Sequence, residues 1–204
     1  IKIDNKPVLQ IYRTFDIDCL DRMLNCFNKW AHGEGFDGIY VIAGKTAGLQ
    51  ETRTDLVDGY YYFEPGYTLK HDFSKLSEFN YNVSVFLKTM INKLRTQKML
   101  ERTIKADLIL KGIKKRQYGE NEFPGLIPDW DNTPRRGYKG LVYKGTSPEK
   151  FEETLRVLKK KKEGHKNDFV FINAWNEWGE GAMLEPDEYR GYGYLEAVKR
   201  VVGA

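Results

Sequence analysis

The segment Asp168–Pro186, DFVFINAWNEWGEGAMLEP, joins a run of apolar residues to a loop that is rich in polar and aromatic ones. Its first part, Asp168–Ala174, has the β-branched and aromatic composition of a buried parallel strand. Gly179 and Gly181 permit the sharp backbone that a tight loop requires. The segment therefore predicts a strand of a parallel sheet with a polar loop at its carboxyl end.

Strand and helix patterns alternate along the rest of the chain. Four earlier segments have strand character: Pro7–Tyr12, Asp37–Ala43, Val57–Phe63 and Phe123–Ile127. Helices are predicted over residues 18–31 with Asp18 as the cap, most of Lys75–Leu100, Ala106–Lys114, Ser147–Glu163 with Pro148 at its first position, and Gly193–Val202. Strands separated by helices predict an α/β fold with a parallel sheet.

Five strands suit either an open sheet or part of a (β/α)8 barrel of the TIM type. Polar and aromatic residues cluster directly after the strands, where barrels place their active sites. No glycine-rich phosphate loop follows the first strand, so a nucleotide-binding open sheet lacks its usual signature. The sequence therefore favours the barrel, and no linker divides the chain of 204 residues.

The composition narrows the classes of partner. Aromatic residues make up 14% of the chain, with 13 Tyr and 4 Trp. This content favours a glycan as the binding partner, because sugars bind to flat apolar faces with polar edges. The net charge is only +4, and the one basic run, Lys159–Lys162, is expected to be a solvated helix end. No basic stripe with interleaved aromatics occurs, so we expect no nucleic-acid partner.

Cys19 and Cys26 lie two turns apart on a predicted helix, too far for a disulfide, and free thiols fit a reducing cytosol. No apolar run approaches the roughly 20 residues that span a bilayer, so no transmembrane segment is expected. The histidines lack metal-ligand spacing, so we expect no metal site among them. Because the sequence lacks an initiator Met and starts close to a strand, a fragment of a longer protein is expected.

Two glutamates in the loop after the last strand are the candidate catalytic residues. Glu177 and Glu180 are three apart, so in a tight loop they can converge on one face. Cleavage of a glycosidic bond needs two carboxyl groups in different protonation states, and close carboxylates push each other's pKa values apart. The candidate substrate-binding residues beside them are Trp175, Trp178, Asn173 and Asn176. The structural alternative is that the glutamates cap the next helix and the tryptophans fill the core.

A second candidate segment, Asp129–Arg136 (DWDNTPRR), follows the preceding strand. Asp129 and Asp131 match the acidic pair with which many nucleotide-sugar transferases hold a divalent cation, but no further ligands accompany them. We instead expect Asp131 and Asn132 to order the loop, and we include them with Trp130 among the candidate substrate-binding residues. Arg135 or Arg136 is expected to donate to substrate hydroxyls or to hold a glutamate ionised, the alternative being a surface pair.

With these motifs in view, the chain resembles the WbsX-type family of bacterial polysaccharide-biosynthesis proteins. That family is itself similar to glycoside hydrolase family ninety-nine, the endo-α-mannosidases. The matching stretches are Lys6–Arg13, Asp37–Ala43, Pro124–Arg136, Gly145–Leu155 and Ile172–Ala197. The helical middle, Lys75–Gln117, matches poorly, and the hydrolases tend to carry His where this chain has Gly179.

The resemblance implies a (β/α)8 barrel of which residues 1–204 form one C-terminal portion with about five of the eight strands. The missing N-terminal strands would come from the same full-length protein. That protein is expected in the bacterial cytoplasm. By position, Glu177 would take the proton of the sugar 2-hydroxyl and Glu180 would be the general acid, with retention of configuration and without metal or cofactor. Two alternatives stay open: a glycosyltransferase of O-antigen, capsule or lipopolysaccharide assembly, and a non-catalytic glycan-binding barrel remnant.

Overall fold

The structure, a computed structural model, describes residues 1–97 and 100–203. The strands are β1 (Lys2–Ile3), β2 (Lys6–Ile11), β3 (Tyr40–Lys45), β4 (Gly59–Tyr62), β5 (Arg102–Lys105), β6 (Glu122–Phe123), β7 (Gly125–Leu126), β8 (Leu141–Lys144), β9 (Phe171–Ile172), β10 (Asn176–Glu177) and β11 (Ala182–Met183). The helices are α1 (Leu20–Gly33), α2 (Gly66–His71), α3 (Lys75–Leu94), α4 (Ala106–Lys115), α5 (Thr133–Arg136), α6 (Pro148–Lys162) and α7 (Gly193–Val202).

The main sheet is parallel and curls like half of a barrel. Strands β2, β3, β4 and β6 pair in that order, and β7, which continues β6 beyond Pro124, pairs with β9. The short β1 pairs antiparallel with the start of β2. The predicted α/β class and the parallel sheet are therefore confirmed, and all five predicted strands belong to this curled sheet.

Apolar side chains on both sides of the strands hold the sheet and helices together. One buried cluster contains Ile42, Tyr61 and Phe123, and a larger one joins Leu126 to the inner faces of α4, α6 and α7. Strands β4 and β7 approach closely at Gly125, where an added Cβ would lie 1.7 Å from the Tyr62 carbonyl oxygen. Only glycine fits this position, which lies at the start of the strand that leads into the site.

Several predicted boundaries differ from the structure. Helix α1 begins after Cys19 rather than Asp18, and no side chain caps it. The helix predicted over Lys75–Leu100 ends at Leu94, although residues 98 and 99 lie outside the described residues. The last predicted strand, Asp168–Ala174, shortens to β9, because its ladder with β7 covers Phe171 and Ile172. Strands β5 and β8, which pair with each other, were not predicted.

The basic run at the end of α6 is not a purely solvated helix end. Lys162 is fully buried, and its Nζ donates to the carbonyl oxygens of Gly119 and Glu120 while lying over the Phe123 ring. Burial lowers the pKa of this ammonium group. Lys162 therefore ties the end of α6 to the turn before β6, because its ammonium group donates to two backbone carbonyls of that turn.

Other local predictions are confirmed. Ser147 caps α6 by accepting from the Lys150 amide, and α7 has the predicted bounds. Cys19 and Cys26 are free and exposed thiols. Within residues 1–97 and 100–203, no helix is both long and apolar enough to cross a bilayer.

Candidate functional site

The loop after β9 is built as a small hairpin. Strands β10 and β11 pair antiparallel, with Glu177 opposite Ala182, and a single 3-10 turn, Trp178–Glu180, connects them. Gly181 closes the turn at a φ of +62°, a left-handed conformation that favours glycine. The backbone carbonyl of Glu180 accepts from the amide of Asp131 at 2.8 Å, which fixes the hairpin against the loop after β7.

The two candidate catalytic glutamates lie on the same side of this hairpin. Nη1 of Arg135 lies 2.9 Å from Oε1 of Glu180 and 3.7 Å from Oε1 of Glu177. Gly179 leaves room for this approach, because an added Cβ there would lie 3.2 Å from the Arg135 side chain. One guanidinium group therefore contacts both carboxylates.

The two carboxyl groups differ in burial. The Glu180 side chain is 21% exposed and that of Glu177 is 44% exposed. Burial raises the pKa of Glu180, and the negative charge of Glu177 raises it further, while Arg135 and Arg136 act to lower it. A raised pKa favours the protonated form of Glu180, and holding a proton is the property that a general acid requires.

The loop that carries Arg135 is ordered by its own polar side chains. Oδ1 of Asp131 accepts from both the amide and the hydroxyl of Thr133, at the start of α5. Oδ1 of Asn132 accepts from the amide of Leu141, and Asn132 is buried. These hydrogen bonds show that Asp131 and Asn132 order the loop. Arg135 projects from α5 toward the hairpin.

The structure separates two other residues of this segment from the glutamates. Trp130 is buried in the larger core cluster, so its indole ring packs between elements rather than lining an open surface. Asp129 pairs with Arg190 at 2.5 Å, and Arg190 also lies near Asp187. Among the described residues, no cluster of three or more His, Cys, Asp or Glu side chains could hold a metal ion. Arg190 is not among the residues predicted from the sequence, because no local pattern marks it.

Two indole rings remain exposed beside the glutamates. Trp175 is 54% exposed and Trp178 is 48% exposed, and the Trp178 ring is held by a 2.6 Å bond from Nε1 to Glu185. These two tryptophans therefore do not fill the core, which was the structural alternative for them. Asn176 is exposed on the same hairpin, and Arg136 is exposed at the end of α5.

Asn173 lies deeper, inside the curl of the sheet. Its Nδ2 donates to the Glu64 carbonyl, and it lines a hollow of about 100 Å³ together with Gln10, Phe63 and Phe171. The hollow has room for only a few waters or for one polar substituent of a ligand. Asn173 therefore connects the hairpin to the interior of the half-barrel.

Tyr12 lies near the candidate site and is not among the residues predicted from the sequence. It ends the predicted strand Pro7–Tyr12, is half exposed, and its ring packs edge-on against Phe63 with the centroids 4.5 Å apart. Burial raises the pKa of its hydroxyl, and the nearby Glu180 adds to this. Its position at the carboxyl end of a strand was the available signal, because barrel sites collect such residues.

Carboxylates, indole rings and amides are thus grouped after the last strand of a curled parallel sheet. This is the end at which α/β proteins of the barrel type place their sites. The family described as "Glycosyltransferase WbsX" matches residues 1–198, and the chain therefore belongs to that family. This confirms the resemblance drawn from the motifs.

Individual proteins are also similar to parts of this chain. Two proteins described as "Uncharacterized protein WxcX", from two strains of Xanthomonas campestris pv. campestris, are each 44% identical over 85 residues, covering 39% of this chain and 12% of their own length. A solved "Glycoside hydrolase-like protein" superposes with a TM-score of 0.55 at 14% identity, over 98% of this chain and 55% of that one. The chain thus spans about an eighth of the curated relatives and about half of the structural one, whose likeness is of the fold alone.

Proposed function

We propose that this protein is a retaining, glycoside hydrolase-like enzyme that cleaves an α-linked bacterial surface polysaccharide with Glu177 and Glu180. The observation that carries the proposal is the contact of both carboxylates with Nη1 of Arg135, which holds them on one side of the hairpin. Exposed indole rings on the same hairpin supply the flat faces on which sugar rings stack.

In the proposed first step, the Glu177 carboxylate accepts the proton of the sugar 2-hydroxyl. The 2-oxygen attacks the anomeric carbon, the bond to the leaving oxygen breaks, and Glu180 gives its proton to that oxygen. In the second step, Glu180 takes a proton from water and the water oxygen attacks the anomeric carbon of the 1,2-anhydro sugar. The bond between the anomeric carbon and the 2-oxygen breaks, and Glu177 returns its proton to the 2-oxygen. Two inversions give net retention, by a route that differs from direct attack of a carboxylate.

Replacement of each glutamate by glutamine tests the proposal. Glu177→Gln and Glu180→Gln should each lower the release of reducing ends from α-linked polysaccharide by about 10²–10⁴-fold. Glu188→Gln, an exposed glutamate of the following segment, is the matched control and should leave the rate unchanged. Circular dichroism should show the same fold for all variants. Full activity of either site variant would contradict the assignment.

The family description gives a specific reason to consider a second function, transfer of a sugar from a nucleotide donor in O-antigen or capsule assembly. A donor that binds the folded state should raise the melting temperature in proportion to the logarithm of its concentration. A panel of nucleotide sugars in a thermal shift assay separates the two functions, because the hydrolase should respond to oligosaccharides alone. If the glutamine variants keep their glycan affinity and no turnover occurs in any variant, the chain is a non-catalytic glycan-binding module.

We also propose that the half-barrel is one portion of a full (β/α)8 barrel, with further strands between β9 and β2. A cleft of about 400 Å³ lies between β9 and the edge that β1 and β2 form, and it is lined by Ile1, Val8, Gln10 and residues 169–172. The amides of Phe171 and Asn173 bond to the β7 side, so the Ile172 amide points into this gap. In this chain the Ile172 amide should exchange its hydrogen much faster than the central amides of β3. Equal protection of these amides from hydrogen exchange would contradict an open edge at β9.

A further inference from the structure

Helix α3 carries its large apolar side chains on the face that points away from the rest of the protein. Phe79 is 64% exposed, Phe86 is 63% exposed and Leu94 is 86% exposed. At 3.6 residues per turn, the exposed apolar residues fall within a stripe about 140° wide. They are Leu76, Phe79, Val83, Phe86, Leu87, Met90, Ile91 and Leu94. A helix of a soluble protein ordinarily turns such a stripe toward the core.

Polar contacts fix this orientation. On the inner face of α3, Nζ of Lys88 donates to the Glu101 carbonyl and to the Thr103 hydroxyl. The buried side chain of Asn92 exchanges two hydrogen bonds with the backbone of Leu100. Rotation of the helix to bury its apolar stripe would break these bonds, so the outward apolar face is a feature of the fold.

The chain around α3 is strongly basic. Residues 66–116 contain twelve Lys and Arg and four Asp and Glu, a net charge of +8, whereas the remainder of the chain has 21 basic and 25 acidic residues. Seven exposed cations of this segment have no ion pair among the described residues: Lys70, Lys75, Lys93, Arg95, Lys105, Lys111 and Lys115.

The acidic side chains of the segment do not cancel this charge. Three of the four are already paired, Asp72 with Arg116, Glu101 with Lys144 and Asp107 with Lys150. By helical geometry, Lys75 and Lys93 share one flank of the apolar stripe, about 85° from its centre. The surface is therefore an apolar strip with unpaired positive charge along its border.

We propose that α3 docks this protein on an anionic lipid surface, lying in the plane of the membrane. An apolar helix face with a cationic border binds such surfaces by burying its side chains about 5–10 Å deep, while the cations contact lipid phosphates. The charge argues against a second copy of the chain as the occupant, because two segments of charge +8 would face each other.

The gap in the curled sheet between β9 and β2 is a different surface from the apolar face of α3. It lies between β9 and the edge that β1 and β2 form, whereas α3 follows β4, the middle strand of the curled sheet. A segment that completes the sheet at the gap would therefore pair with β2 and β9, and the docking proposal does not depend on the reaction at Glu177 and Glu180.

Co-sedimentation with lipid vesicles tests the proposal. The protein should bind vesicles of phosphatidylglycerol mixed with phosphatidylcholine at least about tenfold more tightly than vesicles of phosphatidylcholine alone. Binding should weaken in high salt, because the ionic part is screened. Failure to bind the anionic vesicles, or equal binding to both, would overturn the proposal.

Matched variants identify the surface. The double substitution Phe79→Ser with Phe86→Ser should weaken vesicle binding by about tenfold or more, because each buried aromatic ring contributes apolar area. Leu49→Ser, which removes an equally exposed apolar side chain from a loop, should have no effect. Lys75→Glu with Lys93→Glu should also abolish the preference for anionic lipid, while Lys29→Glu on α1 should not.

These substitutions lie on exposed positions, so the variants should keep the circular dichroism and melting temperature of the parent. Unchanged vesicle binding by the Phe79→Ser and Phe86→Ser double variant would overturn the proposal. So would a stable dimer in sedimentation equilibrium that this variant dissociates and that does not bind vesicles, because a second copy would then cover the face.

Discussion

Arg135 donates from Nη1 to Oε1 of Glu180 at 2.9 Å, an ion pair that joins the segment after β7 to the hairpin after β9. The two residues are 45 positions apart in the chain. Asp131 orders the short helix that carries the arginine, and the Asp131 amide bonds to the backbone of Glu180. A side-chain contact and a backbone contact thus fix the same two loops together.

Loss of this arginine should change the pH dependence of activity. Burial and the charge of Glu177 raise the pKa of Glu180, and Arg135 opposes them. In Arg135→Met the opposing charge is gone, so the pKa of Glu180 should rise. A general acid works only while protonated, and activity is lost as the pH rises through its pKa. The basic limb of the kcat/KM profile should therefore move to higher pH in this variant.

The control is Arg22→Met, which removes an exposed arginine from α1 and should leave the profile in place. Arg136→Met should shift the basic limb in the same direction but less, because Arg136 has the smaller effect on Glu180. A basic limb that stays fixed, or moves to lower pH, in Arg135→Met would show that Glu180 is not the group that donates the proton.

Removal of an exposed indole ring should weaken glycan binding. Trp175→Ala and Trp178→Ala should each raise KM, or Kd for a non-cleaved oligosaccharide, by about tenfold, since a stacked aromatic contact is worth about 1 kcal/mol beyond its buried area. Isothermal titration calorimetry measures the change. Trp30→Ala, which removes an equally exposed ring from α1, should not alter affinity.

A further variant separates the ring face from its hydrogen bond. Trp178→Phe keeps an aromatic face but loses the bond from Nε1 to Glu185. If stacking is the main interaction, this variant should retain most of the affinity that Trp178→Ala loses. Equal losses in both would instead assign the effect to the position of Glu185 and the hairpin.

The elements that local chemistry defines were predictable from the sequence. Helix α6 begins at a Ser-Pro pair that caps and starts a helix by itself, and the five strands of the curled sheet are apolar runs between turn residues. Strands β5 (RTIK) and β8 (LVYK) were missed because basic residues interrupt their short apolar runs, and each strand pairs with the other rather than with the curled sheet. Helix α3 was predicted, but its periodicity could not show that the apolar stripe faces outward.

The site was predictable in the same sense. Glu177, Glu180 and the tryptophans share one short segment, so their proximity follows from the tight turn that Gly179 and Gly181 allow. The sequence predicted Arg135 or Arg136 as a partner of a glutamate. The choice of Arg135 needed the structure, in which the loop after β7 lies beside the loop after β9. Burial of Trp130 depends on packing against distant helices, and no local pattern distinguishes it from the exposed indoles.

The turn of the hairpin should be intolerant of a side chain at Gly181. An alanine there would adopt an unfavourable φ of +62° and would place its Cβ 2.9 Å from the Asp131 amide nitrogen. The variant Gly181→Ala should lose about 1–3 kcal/mol of stability, and its activity should fall because the backbone bond between the loops is displaced. Chemical denaturation measures the loss of stability.

Gly191→Ala is the matched control for this prediction. Its φ of +55° imposes the same kind of backbone strain, but an added Cβ has no atom within 4 Å. It should lose only the strain component, about 1 kcal/mol, and keep its activity. If the two variants lose equal stability and both stay active, the close approach of the hairpin to Asp131 does not matter.

Glu51 should make the stability of the fold sensitive to acid. Its buried carboxylate accepts from Nε and Nη2 of Arg53, whose guanidinium also donates to the carbonyls of Thr14 and Ile17. The hydrogen bonds from Arg53 lower the pKa of Glu51 to about 2. Because the folded-state pKa is depressed, the stability that this group contributes is present above the unfolded-state pKa of about 4.5 and is lost as the pH falls toward 2.

Glu51→Gln should therefore reduce the free energy of unfolding by about 2 kcal/mol at pH 7, because the charged hydrogen bonds are lost. Its unfolding free energy should also fall less steeply than that of the parent between pH 4.5 and pH 2, since no proton is taken up at this position on unfolding. Urea denaturation at a series of pH values measures both effects. Glu34→Gln, at an exposed position just after α1, should follow the parent curve. Parallel curves for Glu51→Gln and the parent across this range would show that the carboxylate of Glu51 is not held ionised by Arg53.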